Sequence, residues 1–227
     1  MNFLITAGGT REYIDPVRFI SNASTGKMGY ALARAALKAG HQVTLVTTVA
    51  RRSSLVSRVT SHERRVTVIE VETAAEMFKA VKKHFPRCDC LIMAAAVSDY
   101  TPVQPAKTKI KSAKDRLTIK LKPTTDILKW AAVHKKSKIK NRKSKMKCHR
   151  RLVVGFALED KNLRLNAEKK LKEKNLDMII ANTPATIGAD KTIAQIKMPG
   201  QKWLKLPKAD KTTIAQKIIS LAEKASC

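Results

Sequence analysis

The residues best suited to chemistry lie in the segment FISNASTGKMG, which covers residues 19–29. Ser24, Thr25 and Gly26 come at the start of a segment with helical periodicity. Backbone N–H groups in the first turn of a helix lack intrahelical partners and attract phosphate, and small residues let an anion approach them closely. The segment therefore predicts a phosphate-binding turn. The alternative is that Ser24 or Thr25 only caps the helix.

Two common nucleotide fingerprints do not match this part of the chain. The dinucleotide pattern G-x-G-x-x-G is absent, because the first turn reads AGGTRE and the second predicted strand ends in LVTTVARR, without an acid for a ribose. The P-loop pattern needs Ser or Thr after Gly-Lys, but Met28 follows Gly26 and Lys27. A P-loop NTPase and a dehydrogenase are therefore disfavoured, although a dehydrogenase remains the alternative at the level of the fold.

Strand-like and helix-like segments alternate along the chain and would position this turn. Apolar runs predict strands at 2–7, 41–48, 66–71, 90–97, 117–121, 152–158 and 177–183, and amphipathic runs predict helices at 26–40, 73–85, 125–134, 162–174 and 212–225. Thr73 and Glu76 form a capping-box pattern at one helix start, and Pro199-Gly200 centres a predicted C-terminal hairpin. The alternation predicts a Rossmann-like, doubly wound α/β fold whose mostly parallel sheet carries helices on both faces.

Residues 98–116 break this pattern, since they carry prolines and lysines and few apolar residues. Loops of this length are uncommon and often cover an active site. The segment therefore predicts a long, exposed and flexible flap. The length of 227 residues is enough for one large domain with its own core.

The chain is strongly basic, with 46 Lys and Arg against 18 Asp and Glu and a net charge of +28. Ten of the basic residues fall in the segment 134–151, which has no acid and predicts a basic surface loop. Such a field attracts nucleotides and nucleic acid. The segment has no aromatic residue for base stacking, so nucleic-acid binding is the less favoured interpretation. We expect the loop to be dispensable for catalysis.

The cysteines and the hydropathy pattern indicate a cytoplasmic protein without a resident metal. Four cysteines at irregular spacing predict reduced thiols rather than a disulfide framework. Zinc binding by Cys88, Cys90 and Cys148-His149 is disfavoured, because the first pair is too close and the second lies in the basic segment. No apolar run approaches membrane-spanning length, and no secretory signal opens the chain.

Several long motifs resemble the phosphopantothenate–cysteine ligase family of coenzyme A biosynthesis. The N-terminal segment ITAGGTREYIDPVRFISNASTGKMGYALA carries the resemblance, which continues in order through VETAAEM, MAAAVSDYTP, KIK, TIKL, TDIL, VVGFALE and EKNLDMIIAN. The matches cover nearly the whole chain. Since the chain begins at the ligase domain's first strand, the resemblance implies a stand-alone ligase and a single ligase domain over 1–227.

The resemblance implies a two-step reaction. A nucleoside triphosphate, CTP or ATP, activates the carboxylate of 4′-phosphopantothenate as an acyl-nucleotidylate and releases pyrophosphate. The amine of L-cysteine then attacks the acyl carbon and releases the nucleoside monophosphate. Mg²⁺ is expected on the triphosphate rather than on a protein site, and the family implies a homodimer.

The family's motifs also imply roles for particular residues. Asn22 matches an asparagine that contacts the acyl-nucleotidylate, and Lys109 matches the first lysine of a K-x-K-K motif on a mobile flap. Ser112 replaces the last lysine of that motif, and Thr125 replaces a proline before Asp126. The remaining residues that match substrate or nucleotide contacts are Gly8, Gly9, Arg18, Ser24, Thr25, Gly26, Met93, Ala94, Ala95, Asp99, Lys111, Thr125, Asp126, Ile127, Leu128, Phe156, Lys170 and Lys174.

Overall fold

The computed structural model describes residues 1–49, 65–111, 116–136 and 150–226. Three parts of the sequence-based interpretation lie outside these ranges. They are the Ser112 departure, the possible zinc ligands Cys148 and His149, and most of the basic segment 134–151.

The described residues form short and long strands and five helices. The strands are β1 Asn2–Ala7, β2 Arg11–Tyr13, β3 Phe19–Ser21, β4 Gln42–Thr47, β5 Val66–Glu70, β6 Cys90–Met93, β7 Tyr100–Pro102, β8 Leu121–Pro123, β9 Leu152–Leu158, β10 Met178–Asn182, β11 Lys191–Thr192, β12 Gln195–Lys197, β13 Leu204–Lys205 and β14 Ala209–Asp210. The helices are α1 Lys27–Lys38, α2 Ala74–His84, α3 Ile127–His134, α4 Leu163–Glu173 and α5 Lys211–Ser226.

An eight-stranded sheet has the order β13-β12-β10-β9-β6-β1-β4-β5. The six strands from β10 to β5 are parallel, and β12 and β13 add an antiparallel hairpin at one edge. Numbered along the chain, the parallel strands have the order 3-2-1-4-5-6 when read from β5 to β10, as in Rossmann folds. The predicted fold class and the C-terminal hairpin are confirmed.

The two faces of the sheet bury separate layers of core because alternate residues of each strand point to opposite sides. In β1, Phe3, Ile5 and Ala7 pack in the layer that contains α1 and α5, whereas Leu4 packs in the layer that contains α2, α3 and α4. The predicted capping box of α2 is present, since Thr73 accepts from the Glu76 amide and Glu76 accepts from the Thr73 amide. The sheet therefore lies between two helical layers.

The structure corrects three sequence-based boundaries. Strand 90–97 ends at Met93, because the next residues leave the ladder and Ala96 forms an isolated bridge with Gly9. The strand predicted at 117–121 lies instead at Leu121–Pro123, where it pairs with Tyr100–Pro102. The segment 98–116 is therefore not a loop throughout, since its first part forms the strand β7.

Candidate functional site

A cleft of about 580 Å³ opens at the carboxyl edge of the sheet. It lies where the strand order reverses between β1 and β6, the position at which open α/β sheets bind ligands. Fifteen of the twenty predicted site residues line it. They are Asn22, Ser24, Thr25, Gly26, Met93, Ala94, Ala95, Asp99, Thr125, Asp126, Ile127, Leu128, Phe156, Lys170 and Lys174.

The floor of the cleft is the start of α1. Gly26 precedes the helix with φ 72°, a left-handed conformation that glycine adopts without steric cost. No side chain caps α1 and its first turn has no acid, so the alternative in which Ser24 or Thr25 is the helix cap is wrong. The first-turn amides of α1 are thus available to an anion in the cleft.

Asn22 joins the floor to the segment that follows β6. Its amide Nδ2 donates to the carbonyl oxygens of Ala96 and Val97, at 3.3 Å each. The Asn22 side chain is exposed and lines the cleft. The small side chains of Ala94 and Ala95 leave room for a ligand beside it.

The start of α3 forms a second wall. Asp126 caps this helix by accepting from the Lys129 amide at 2.9 Å, and it pairs with Lys174 at 2.8 Å. Burial alone would raise the pKa of Asp126, but the hydrogen bond from Lys174 and the Lys129 amide outweigh it and lower the pKa. Asp126 is therefore a carboxylate at neutral pH and holds Lys174 at the cleft.

Lys170 approaches the same wall from α4. Its Nζ donates to the carbonyl oxygen of Phe156 at 2.8 Å. Burial, followed by the nearby charge of Lys174, lowers the pKa of Lys170. The two lysines lie four positions apart on one face of α4 and its end, as their spacing predicts. They form a cationic wall next to the Phe156 ring.

Five predicted residues do not line the cleft: Gly8, Gly9, Arg18, Lys109 and Lys111. Gly8 and Gly9 are buried behind the floor, where Gly8 lies against Gly26 and Gly9 lies against the carbonyl oxygen of Asn22. They support the floor from below.

Arg18 fastens the predicted flap to the loop between β2 and β3. Buried Asp15 accepts from the Ile110 amide at 3.2 Å and pairs with Arg18 at 3.5 Å, and Arg18 in turn donates to the Ile110 carbonyl oxygen. Burial alone would raise the pKa of Asp15, but the amides of Val17, Arg18 and Ile110 lower it. Arg18 thus holds the chain beside Lys109 in this structure, away from the cleft.

The cleft also contains residues that sequence reasoning did not select. Lys27 and Lys211 are cationic, and Glu159 and Asn182 stand at the ends of β9 and β10. The Gly-Lys dipeptide was a signal for Lys27. Lys211 lies at the opposite end of the chain and has no local motif, so only the fold reveals its position.

Cys88 and Cys90 are buried free thiols that lie away from the cleft. Burial raises the pKa of Cys88 to about 12 and raises that of Cys90 as well. Thiols in such surroundings are chemically inert. Within residues 1–49, 65–111, 116–136 and 150–226, no helix is long and apolar enough to cross a membrane.

The fold and the cleft define a Rossmann-like α/β protein with a lysine-lined cleft at the switch point of its sheet. The chain belongs to the DNA/pantothenate metabolism flavoprotein C-terminal domain family, whose model matches residues 1–225. The family relationship predicted from the motifs is therefore confirmed.

Curated relatives show the same relationship. The chain is 46% identical over 185 residues to a cysteine/cysteine sulfinic acid decarboxylase of an unknown prokaryotic organism, across 82% of this chain and 46% of the relative. It is 38% identical over 220 residues to the coenzyme A biosynthesis bifunctional protein CoaBC of Borreliella burgdorferi, across 96% of this chain and 51% of the relative. The chain thus spans about half the length of the curated relatives it matches.

A solved structure agrees with the fold. The C-terminal domain of a coenzyme A biosynthesis bifunctional protein CoaBC superposes with a TM-score of 0.73 and 34% identity, over 98% of this chain and 94% of that one. The similarity extends over the whole sheet and both helical layers, because nearly all of each chain is covered.

Proposed function

We propose that this protein is a phosphopantothenate–cysteine ligase that uses CTP or ATP. The observation that carries the proposal is the convergence of the family's motifs on one cleft. Segments around Asn22, Met93, Asp126, Phe156 and Lys170, which are far apart in the sequence, line the same space. Similarity to CoaBC proteins over nearly the whole chain supports the same activity.

In the proposed first step, a carboxylate oxygen of 4′-phosphopantothenate attacks the α-phosphorus of the triphosphate. A new phosphorus–oxygen bond forms, the α–β bond breaks, and pyrophosphate leaves with the electron pair. The amides at the start of α1 and the turn Ser24–Gly26 bind the phosphates. The wall of Lys170, Lys174 and Phe156 binds the nucleoside end.

In the proposed second step, the amine of L-cysteine attacks the acyl carbon and a carbon–nitrogen bond forms. The bond between the acyl carbon and the phosphate oxygen breaks, the nucleoside monophosphate leaves with the electron pair, and the amine gives up a proton to water. The Asn22 amide donates to the carbonyl oxygen as negative charge develops there, which lowers the barrier. It exchanges its present acceptors, the backbone carbonyl oxygens of Ala96 and Val97, for this oxygen. Lys109 acts from the flap by neutralising phosphate charge when the segment closes.

Mg²⁺ would bind mainly through phosphate oxygens. In the described part of the chain, no group of three or more His, Cys, Asp or Glu residues is placed to hold a metal ion. This arrangement suits Mg²⁺, which keeps several waters and usually binds nucleotides through few protein ligands. When bound, the ion would offset charge on the triphosphate.

We further propose a single-domain, cytoplasmic homodimer. The ribbons β2–β3 and β7–β8 carry exposed apolar side chains, with Val17 58%, Phe19 43%, Tyr100 56% and Leu121 43% exposed. Exposed apolar patches commonly mark protein contacts. These ribbons are the surface on which we expect a second copy to pack.

Pyrophosphate release by the purified protein tests the proposal. CTP and ATP are compared, each with and without 4′-phosphopantothenate and L-cysteine. We expect release that depends on phosphopantothenate, with cysteine driving turnover and formation of the nucleoside monophosphate. Carbon dioxide from L-cysteine is measured in parallel, because one relative carries a decarboxylase name. Carbon dioxide without pyrophosphate would contradict the ligase.

The alternative is a Rossmann-like protein without ligase activity that binds nucleotide or nucleic acid through its basic surface. The net charge of +28 favours it. Contacts to six to ten phosphates would lower DNA affinity by roughly 10³–10⁵ between 50 and 200 mM salt. Folded protein with this salt dependence and no pyrophosphate release would favour the alternative.

A further inference from the structure

The Gly26-Lys27 dipeptide lies at the cleft, although the sequence around it does not match the P-loop pattern. Lys27 is the first residue of α1 and lines the cleft. Its Nζ donates to the Gly188 carbonyl oxygen at 3.0 Å and to Asp190 Oδ1 at 2.7 Å. The ammonium group therefore sits beside the uncapped start of α1, held by the segment that precedes β11.

A second lysine reaches the same segment from the other end of the chain. Lys211, the first residue of α5, lines the cleft, and its Nζ donates to the Thr186 carbonyl oxygen at 3.4 Å. Burial, followed by the charge of Lys27, lowers the pKa of Lys211. Two ammonium groups thus share one end of the cleft.

The partner that neutralises Lys27 is weakly held. The Asp190 side chain is 88% exposed, and the Lys27 side chain is 37% exposed. Solvent-exposed ion pairs contribute little to stability because water and salt screen them. An incoming polyphosphate can therefore replace Asp190 on Lys27 at small cost.

A second pair of lysines lines the cleft on the opposite side of the sheet. Lys170 and Lys174 come from α4, which packs in the layer of α2 and α3, whereas Lys27 and Lys211 come from the layer of α1 and α5. A ligand that spans the cleft meets positive charge at both ends. This arrangement suits a nucleotide whose polyphosphate meets the cations at one end, while oxygens and ring nitrogens of its uncharged base and ribose accept hydrogen bonds from the lysines at the other end.

We infer that Lys27 and Lys211 bind the β- and γ-phosphates of the nucleoside triphosphate and that Asp190 holds Lys27 until those phosphates arrive. The inference rests on the proposed function. When the α–β phosphorus–oxygen bond breaks, the leaving pyrophosphate gains charge, which the two ammonium groups stabilise. The pair therefore contacts the leaving group, and Lys170 with Lys174 contacts the nucleoside.

Isothermal titration of the whole chain with four ligands tests this assignment. The ligands are the nucleoside triphosphate that the wild type prefers, its monophosphate, inorganic pyrophosphate and 4′-phosphopantothenate. Lys27→Met and Lys211→Met remove the charges, Lys27→Arg restores one, and Asp190→Asn removes the competitor. Lys217→Met, an exposed position on the same helix α5, is the matched control.

We expect Lys27→Met and Lys211→Met each to weaken triphosphate and pyrophosphate binding by about tenfold or more, since each removes a charge-assisted contact. Monophosphate and phosphopantothenate binding should stay within about twofold, and Lys27→Arg should recover most of the loss. Asp190→Asn should tighten triphosphate binding a few-fold, and Lys217→Met should change nothing.

Other results would overturn the assignment. Equal weakening of monophosphate and triphosphate binding would place the lysines at the nucleoside, and a loss confined to phosphopantothenate would place them at its phosphate. Unchanged triphosphate binding in both methionine variants would exclude the role altogether. A wild-type protein that binds neither CTP nor ATP would instead reject the proposed function, so the two failures are distinguishable.

Discussion

Two lysines of this protein lie at opposite edges of one sheet, where Lys135 is buried and Lys170 is half-buried. Lys135, 2% exposed, donates to the Asn175 carbonyl oxygen at 2.6 Å and pairs with Asp177 at 3.1 Å. Lys170 has one acceptor, the Phe156 carbonyl oxygen, and faces a cleft. Burial lowers the pKa of both. The difference between them lies in their partners.

The ion-pair partners of the two lysines distinguish a structural lysine from one that is available to a ligand. At the amino edge, Asp177 neutralises Lys135, also pairs with Arg150, and accepts from the Val153 amide at 2.8 Å. At the carboxyl edge, no acid pairs with Lys170 among the described residues, since Asp126 is paired with Lys174. A half-buried ammonium group without its own carboxylate is available to donate hydrogen bonds to acceptor atoms of a ligand. A lowered pKa alone would not distinguish the two residues.

Removing the charge of Lys135 at the amino edge should have the largest effect, which is a loss of folding stability. Lys135→Met leaves Asp177 without its buried partner, and breaking such pairs costs about 3–5 kcal/mol. We expect the free energy of unfolding, measured in urea, to fall by about 3 kcal/mol, at the lower end of that range, because Arg150 still neutralises Asp177. Turnover per folded molecule should be unchanged. Lys136→Met, at the exposed neighbouring position, is the control. Loss of turnover in folded Lys135→Met protein would contradict a purely structural role for Lys135.

Removing the carboxyl-edge charge should act on binding. Lys170→Met deletes a charge-assisted contact worth about 1.5–3 kcal/mol, so nucleotide affinity should fall roughly 10- to 150-fold. The free energy of unfolding should fall by less than in Lys135→Met. Titration with nucleotide measures the first effect and urea unfolding the second. Lys169→Met, at a 71% exposed side chain, is the control. Unchanged affinity would show that Lys170 is structural too.

The basic segment can be removed without touching either lysine. The Arg151 amide donates to the Lys135 carbonyl oxygen at 3.3 Å, so the described residues on either side of the basic segment lie next to each other. Deleting 138–148 removes six Lys or Arg and keeps both anchors, unlike a deletion that begins at the buried Lys135. We expect turnover within about twofold, since a shorter connection can still join two adjacent anchor points. Abolished turnover in folded protein would contradict this.

A further expected effect is small and depends on pH. The folded-state pKa of Asp126 lies below its ordinary 3.8, so the unfolded chain binds more protons in that range and stability rises with pH through it. Asp126→Asn keeps a helix cap but loses the pair with Lys174, which should cost at most about 1 kcal/mol at neutral pH. The cost should shrink as the pH falls below 3.8 and disappear once the pH is below the lowered folded-state pKa of Asp126. Urea unfolding at neutral pH and at a pH below 3.8 measures this cost. Asp126→Ala should cost more, because it also removes the helix cap.

The sheet was predictable because its strands are continuous apolar runs, as in CLIM of β6 and LVVGFAL of β9. The ribbons were not, since β2, β3, β7 and β8 have three residues each and mostly exposed or half-buried side chains. Hydrophobic periodicity has no signal at that length. Their pairing depends on contacts between distant segments, which a single sequence does not contain.

The site was predictable only where a motif is local. The residues around Asn22 and Asp126 lie in recognisable strings, and the structure brings both strings to the cleft. Arg18 was interpreted as a contact to a substrate anion, but it lies outside the cleft and holds the backbone at Ile110. In a chain with 46 Lys and Arg, composition does not indicate which lysines face a ligand. The family resemblance selected Lys170, whereas only the fold shows that Lys27 and Lys211 also line the cleft.

The close packing of α1 on β1 has a consequence for how this sequence can vary. A Cβ placed on Gly29 would lie 2.5 Å from the Ala7 Cβ and 2.9 Å from the Thr6 carbonyl oxygen. Any side chain there must lift the helix start away from the sheet, because neither neighbour can yield. The floor of the cleft, including the Lys27 ammonium group, would move with it. Selection for ligand affinity would therefore act on Gly29 through the spacing of the backbone.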